Sequence, residues 1–315
     1  MNIAFLGTST FAIPTLVRLF ETGYKITGVV TQADKPSGRG QAIHASPIKQ
    51  KALELHLPVY EPKSLKDDAA RSLFQALEPE MMVVVAYGKI LPPWLLEFSR
   101  YGCINLHGSL LPKYRGAAPV HWAIANGETK SGVCTMHLDK GMDTGPVFLC
   151  EETPIDPDET VQQVYDRLAG IGADLMARTL PGIINGTLQP RPQDDSRATL
   201  APILKKEHGF IDWKMRASEI HNRVRAFNPW PGTVTKFRNT TCKILKTHPG
   251  DQQMAARDPG LIVISGRSLS VLCGDSSMLE ILSIQPENRK AVSGADFANG
   301  ARIQPDEKFQ PVMDN

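Results

Sequence analysis

The sequence predicts an α/β chain: a doubly wound, mostly parallel sheet followed by a second, smaller β-barrel domain. Three observations carry that expectation. Residues 2–31 run apolar, then helical, then apolar again, the βαβ opening of a doubly wound sheet. Met81-Met82-Val83-Val84-Val85-Ala86 is apolar without a break, as a strand covered on both faces is. Beyond residue 205 the chain divides into short strand-like runs punctuated by Gly, Pro and Asn. The first part is therefore Rossmann-like and the second OB-like.

Taken in order, residues 2–7 read as a strand. Thr8-Ser9-Thr10 forms a turn with a hydroxyl available as N-cap, residues 11–21 a helix ended by Gly23, and residues 25–31 a second strand. The first turn lacks the second and third glycines of a dinucleotide fingerprint, which disfavours a dehydrogenase. Residues 32–50 read as an irregular, flexible and basic insertion. Helices at 47–54 and 69–77 and an extended Val59-Tyr60 lead to the strand at 81–86. Strands at 132–138 and 146–151 flank a turn, and residues 160–185 form an amphipathic helix with a break or close packing point at Gly170-Ile171-Gly172. Residues 190–204 are polar and irregular, a linker between domains at 1–189 and 205–315. In the second domain, strands are expected at 210–213, 232–237, 241–247, 260–265, 268–273 and 278–285, with a helix at 218–226.

Composition narrows the function classes. The chain has the apolar and charged content of an ordinary globular protein, and no apolar run approaches about 18 residues, so no membrane span is expected. The N-terminus has no basic region before its apolar run, so no signal peptide is expected. Five cysteines lie far apart without a Cys-x-x-Cys pair; this disfavours a zinc knuckle or a disulfide framework and suits a reducing cytoplasm. Residues 205–246 carry a surplus of seven positive charges in a chain whose net charge is +2. Such an asymmetry fits a polyanionic partner as well as a solvated basic face.

The chemistry centres on Asn105-Leu106-His107-Gly108-Ser109-Leu110-Leu111-Pro112-Lys113-Tyr114-Arg115-Gly116. Alternation along a strand puts Asn105 and His107 on one face at its tip, where α/β proteins bind ligands. Asp143, in Gly141-Met142-Asp143-Thr144-Gly145, sits on a turn. An amide donor, a proton carrier and a carboxylate to charge it make a plausible catalytic set. No metal-spaced ligand cluster is present, so no metal is expected.

These motifs, in this order, resemble the formyltetrahydrofolate-dependent formyltransferases, and the likeness runs from Phe5-Leu6-Gly7-Thr8 to Ala295-Asp296-Phe297. The resemblance implies formyl transfer from 10-formyltetrahydrofolate to the amine of initiator methionyl-tRNA, with Asn105, His107 and Asp143 as the catalytic residues. It implies a folate site from Ser109, Leu110, Leu111 and Pro112, with Tyr87 and Ile90 as weaker members. Lys113 and Arg115 would attract either the folate glutamate or a tRNA phosphate. It assigns the 34–51 insertion to the tRNA acceptor stem with Arg39 as the leading contact; Lys35 and Lys49 of the same basic insertion, and Arg223 and Arg225 of the basic 205–246 segment, are expected to meet tRNA with it. Gln41-Ala42 replace the basic pair that often follows Gly-Arg-Gly, so a weaker loop contact is expected. A cytoplasmic monomer without membrane attachment is expected. The competing readings are a formyltransferase acting on a sugar-nucleotide amine and a non-catalytic tRNA-binding module. The basic segments favour tRNA over the sugar, and the Asn-His-Asp set disfavours a bare binding module.

Overall fold

The computed structural model describes residues 1–37, 42–253 and 258–312, with side chains for all of these except 35–37, 42–43 and 251–253. The chain forms two compact units, one of residues 1–119, 130–153 and 165–201, the other of residues 120–129, 154–164 and 202–315.

The strands up to residue 201 are β1 (Asn2–Gly7), β2 (Lys25–Val30), β3 (Lys35–Ser37), β4 (Ala42–His44), β5 (Val59–Tyr60), β6 (Met81–Val85), β7 (Cys103–His107), β8 (Arg115–Gly116), β9 (Lys130–His137), β10 (Val147–Pro154) and β11 (Leu200–Ala201). Seven of them form one sheet in the order β10-β9-β7-β6-β1-β2-β5. From β7 to β5 every pairing is parallel, and β9 runs antiparallel to β7. The chain winds outward from β1 through β2 to β5, then returns to place β6 on the other side of β1. This reversal creates a switch point, where open α/β sheets bind ligands. All five residues of β6 are buried, as its unbroken apolar run requires. Gly7 closes β1 where space is short: a Cβ there would lie 2.9 Å from that of Ala12 and 3.2 Å from the Val85 carbonyl oxygen.

The helices follow local chemistry with one exception. In α1 (Ile13–Glu21) the first turn is a separate 3-10 turn over Thr10–Ala12, and Ser9 makes no cap. Its hydroxyl pairs instead with that of Tyr165 at 3.0 Å. Ser46 caps α2 (Pro47–Glu54) by accepting from the Lys49 amide. Asp67 caps α3 (Asp68–Leu77), which buries Ala70, Phe74 and Leu77 at helical spacing and ends at Glu78 with φ 43°. Next come α4 (Pro93–Leu96), α5 (Pro119–Ala125) and α6 (Val161–Ile184). Helix α6 is continuous through Gly172, whose missing side chain leaves room for Leu106: a Cβ there would lie 2.5 Å from Leu106 Cδ2.

Beyond residue 201 lie α7 (Ala217–Phe227), β12 (Thr233–Phe237), β13 (Thr240–Gln253), β14 (Ile262–Ser265), β15 (Ser268–Leu272), β16 (Ser277–Pro286), β17 (Val292–Ser293), α8 (Gly294–Ala301) and β18 (Phe309–Gln310). The sheet runs β14-β15-β16-β13-β12-β18, and each neighbouring pair along it is antiparallel. A bridge from Leu261 to Lys308 brings its two edges together, giving the curled OB-like barrel. Trp213, Phe237, Phe297 and Phe309 pack in the core with centroids 5.4–6.1 Å apart, Phe309 stacked on Trp213 and Phe297, and Phe237 edge-on to Phe297 and Phe309.

Three expectations need correction. The 32–50 insertion is not wholly irregular, because Lys35 pairs with His44 and Ser37 with Ala42 in the β3–β4 hairpin. Residues 210–213 do not form a strand. Phe210 makes a single bridge to Val234, while Trp213 is buried on a turn with its indole donating to Thr235 Oγ1. Its apolar signal came from tertiary burial rather than from strand pairing. The cysteines are not all free: Cys134 on β9 and Cys150 on β10 form a disulfide, with Cα atoms 4.1 Å apart. Adjacent strands unite residues whose separation along the chain hides them. Cys103, Cys242 and Cys273 are free and buried.

Candidate active site

Strand β7 carries Asn105 and His107, both buried, with His107 at its last position opposite Cys134 of β9. His107 Nε2 donates to the Tyr114 carbonyl oxygen at 2.9 Å, and this bond turns Nδ1 toward Asp143, 3.6 Å from Oδ2. With Nε2 holding one proton, a second proton on Nδ1 makes the pair an ion pair; without it, a lone pair faces a carboxylate. Asp143 Oδ2 also accepts from the Gly116 amide at 2.8 Å. Asp143 adopts φ 56°, a left-handed turn conformation that Asp tolerates better than most residues.

The loop after β7 is held by a segment far along the chain. The Tyr114 amide donates to Thr199 Oγ1, and the Arg115 amide donates to the Thr199 carbonyl. Strand β8 then pairs with β11, so closely that a Cβ on Gly116 would lie 2.6 Å from the Ala201 carbonyl oxygen. Gln193 Nε2 donates to the carbonyls of Asp143 and Gly145 at 2.8 and 2.7 Å, while its Oε1 accepts from the Arg115 guanidinium. Gln193 thus ties the Asp143 turn to Arg115. No spacing rule connects residues 193–199 to the β7 loop, so Gln193 and Thr199 escaped the sequence reading, while Tyr114, inside the motif, acts through a backbone carbonyl that side-chain chemistry does not flag.

The other predicted residues divide by environment. Ser109 is buried and donates to the Lys113 carbonyl at 2.6 Å. Leu110, Leu111 and Pro112 are half-buried, and Leu110 covers the bare Cα of Gly132. Tyr87 is 2% exposed and its Oη is buried without a hydrogen-bond partner, while burial pushes its hydroxyl up to about 12. Ile90, by contrast, is 90% exposed. A cavity of about 400 Å³ lies at the other end of β7, lined by Tyr101, Gly102, His137 and Phe148 among others. None of the residues named from sequence lines it.

The cations expected to meet phosphate also divide. Arg39 lies outside the described residues, as does the side chain of Lys35. Lys49 is bonded to both Asp34 and Glu61. Arg115 is buried against Gln193 and Asp195, while Lys113 is exposed. Arg225 is buried and spends its guanidinium on Asn222 and on the carbonyls of Asp156 and Glu159, which removes it from a phosphate-facing surface. Arg223 is half-buried beside the His208 carbonyl, and desolvation lowers its pKa. Among the described residues, no cluster of His, Cys, Asp and Glu could hold a metal, and no helix is long and apolar enough to cross a membrane.

Comparison with known proteins places this arrangement. The formyl transferase family matches residues 1–180, and the formyl transferase C-terminal domain matches residues 203–302. Methionyl-tRNA formyltransferase of Solibacter usitatus is 47% identical over 98% of this chain and 98% of its own. That of Pelobacter propionicus is 45% identical over 96% of this chain and 94% of its own. Two solved structures share the fold. Methionyl-tRNA formyltransferase from Clostridium thermocellum has a TM-score of 0.57 at 18% identity, covering 82% of this chain and 97% of that one. The N-formyltransferase from Helicobacter canadensis, solved with folinic acid and dTDP-3-aminofucose, has a TM-score of 0.67 at 21% identity, covering 89% and 98%. On the family matches and these near full-length identities, the chain belongs to the methionyl-tRNA formyltransferases.

Proposed function

We propose that this chain transfers the formyl group of 10-formyltetrahydrofolate to the α-amine of methionine on initiator methionyl-tRNA. The observation that carries the reading is the grouping of His107 with Asp143 at the end of β7, with Asn105 two residues before on the same strand. Asn105 donates a hydrogen bond to the formyl oxygen as it gains charge, and the His107 imidazolium, held between the Tyr114 carbonyl and Asp143, places a positive charge beside it. Asp143 stabilises the imidazolium and receives or relays the proton that the attacking amine must lose. The amine nitrogen forms its bond to the formyl carbon as that carbon's bond to the folate N10 breaks, and the proton the amine loses is returned to N10. The half-buried Leu110, Leu111 and Pro112 offer apolar surface to a flat ring, which fits such a donor, and the exposed Ile90 is a further apolar candidate. Residues 1–189 carry the chemistry and 205–315 the nucleic-acid surface, joined by 190–204, in a cytoplasmic monomer. The insertion around Lys35 and Arg39 reaches the acceptor stem, with Arg223 on the second surface.

Incubation with 10-formyltetrahydrofolate and charged initiator methionyl-tRNA tests the reading. Formylmethionine is expected on the tRNA, with no formylation of a dTDP-amino sugar. The reverse pattern would assign the chain to sugar nucleotides.

A further inference from the structure

The insertion between β2 and α2 has a braced base. The chain leaves the sheet at Thr31, whose amide donates to the Tyr60 carbonyl at 2.9 Å, and returns at Ser46, the cap of α2. Thr31 Oγ1 and Ser46 Oγ lie 2.9 Å apart, tying exit to re-entry. One turn further on, Lys49 Nζ bonds Asp34 Oδ2 and Glu61 Oε2, each at 2.7 Å. Asp34 directly precedes the β3–β4 hairpin, Lys49 lies on α2 beyond it, and Glu61 follows β5 in the sheet. The ammonium therefore joins both ends of the insertion to the sheet edge. All three side chains are at most 28% exposed. The second carboxylate oxygens, Asp34 Oδ1 and Glu61 Oε1, are buried without hydrogen-bond partners, so Lys49 is what holds the two like charges together.

We propose that Lys49 is a positioning residue for tRNA: it fixes the base of the β3–β4 hairpin through Asp34 and Glu61 and does not itself contact phosphate. The proposal rests on the reading that this insertion engages the tRNA. A hairpin held in place only part of the time weakens apparent affinity in proportion to the fraction correctly placed. The chemical step and folate binding depend on β7 and its loop and should not move.

Lys49→Met should quicken hydrogen exchange across residues 32–46 and raise KM for methionyl-tRNA on the order of tenfold, as expected if the hairpin is correctly placed about a tenth of the time. Its kcat, folate Kd and circular dichroism spectrum should match wild type. Lys49→Arg, which can bridge two carboxylates, should restore most of the loss. Asp34→Asn should raise KM in the same direction although it removes a negative charge. A direct phosphate contact would instead leave exchange unchanged in Lys49→Met and reduce the slope of log affinity against log salt by about 1. Either that result, or an Asp34→Asn enzyme that binds tRNA more tightly, overturns the proposal. So does faster exchange with unchanged KM, which would show that the hairpin has no part in engagement. Exchange is measured without tRNA, so it decides the clamp separately from wild-type formylation, whose absence would sink the tRNA reading itself.

Discussion

At the scale of single residues, the candidate site divides labour between charge and shape. His107 holds one proton against the Tyr114 carbonyl and presents its other nitrogen to Asp143. Asn105→Ala should lower turnover about 10²–10³-fold with folate binding retained, the scale of one lost oxyanion donor. His107→Ala or Asp143→Asn should cost roughly 10²–10⁴ in rate. The double variant should be little worse than the worse single one if the pair acts as a unit, and single-turnover kinetics on methionyl-tRNA reads this directly. Fully multiplicative losses would mean that the two residues act independently. These three side chains were legible in the sequence because strand alternation and the Gly-flanked turn are local signals. The condition of the cations was not. Arg225 and Lys49 look in sequence like any basic residue near a basic patch, and only the acceptors around them reveal that their charges are already spent.

At the scale of elements, the polar stretch after α6 is more than a connector. It reads as irregular because its hydrogen bonds go to other segments instead of forming a ladder of its own. Gln193→Ala removes the tie between the Asp143 turn and Arg115, and a catalytic group displaced by about an ångström costs roughly 10²-fold. We expect kcat to fall by about 10–100-fold while KM for folate holds; unchanged kcat would make Gln193 a spectator. The βαβ opening, the central strands and the barrel strands were legible because their periods are local. The Cys134–Cys150 pair, β8 with β11, and the short β17 and β18 were not, since each exists only through a partner remote in sequence. Helix α7 carries a testable titration. His221 accepts from Thr247 Oγ1 through Nδ1 and donates to the Pro157 carbonyl through Nε2, the neutral form. Burial is the largest cause of its lowered pKa, with Arg225 and His248 acting in the same direction and the Pro157 carbonyl and Asp158 opposing. Above the unfolded value of about 6.5 both states are neutral and this contribution is intact. As pH falls the unfolded chain takes the proton first, so stability is lost until the lower folded pKa is reached. Thermal unfolding at pH 7.5 and 5.5 should show that loss, and His221→Gln should reduce it. His121, lowered by burial, adds a contribution of the same sign.

At the scale of the whole molecule, the charge surplus in residues 205–246 is smaller in effect than it looks. Arg225 is buried and Arg238 is bound to both oxygens of Glu307. The remaining cations should still make tRNA affinity fall as salt rises, by about 0.7–0.9 in logarithmic slope for each phosphate contacted. Filter binding from low to physiological salt should show this fall, with folate affinity flat across the same range. Arg225→Lys should leave the slope unchanged, whereas Lys243→Ala, at an exposed position, should reduce it if that face meets the tRNA. A tRNA affinity indifferent to salt would leave the basic segment a solvated surface.

The bracing of residues 114–116 also sets an order in time. Their partners in the 193–201 segment are synthesised 78 to 85 residues after them. At about 5–20 residues per second, translation leaves a gap of roughly 4–17 seconds in which Asn105 and His107 exist but the loop beside them lacks its brace from residues 193–201. A polypeptide released in that interval would carry the motif and lack the enzyme.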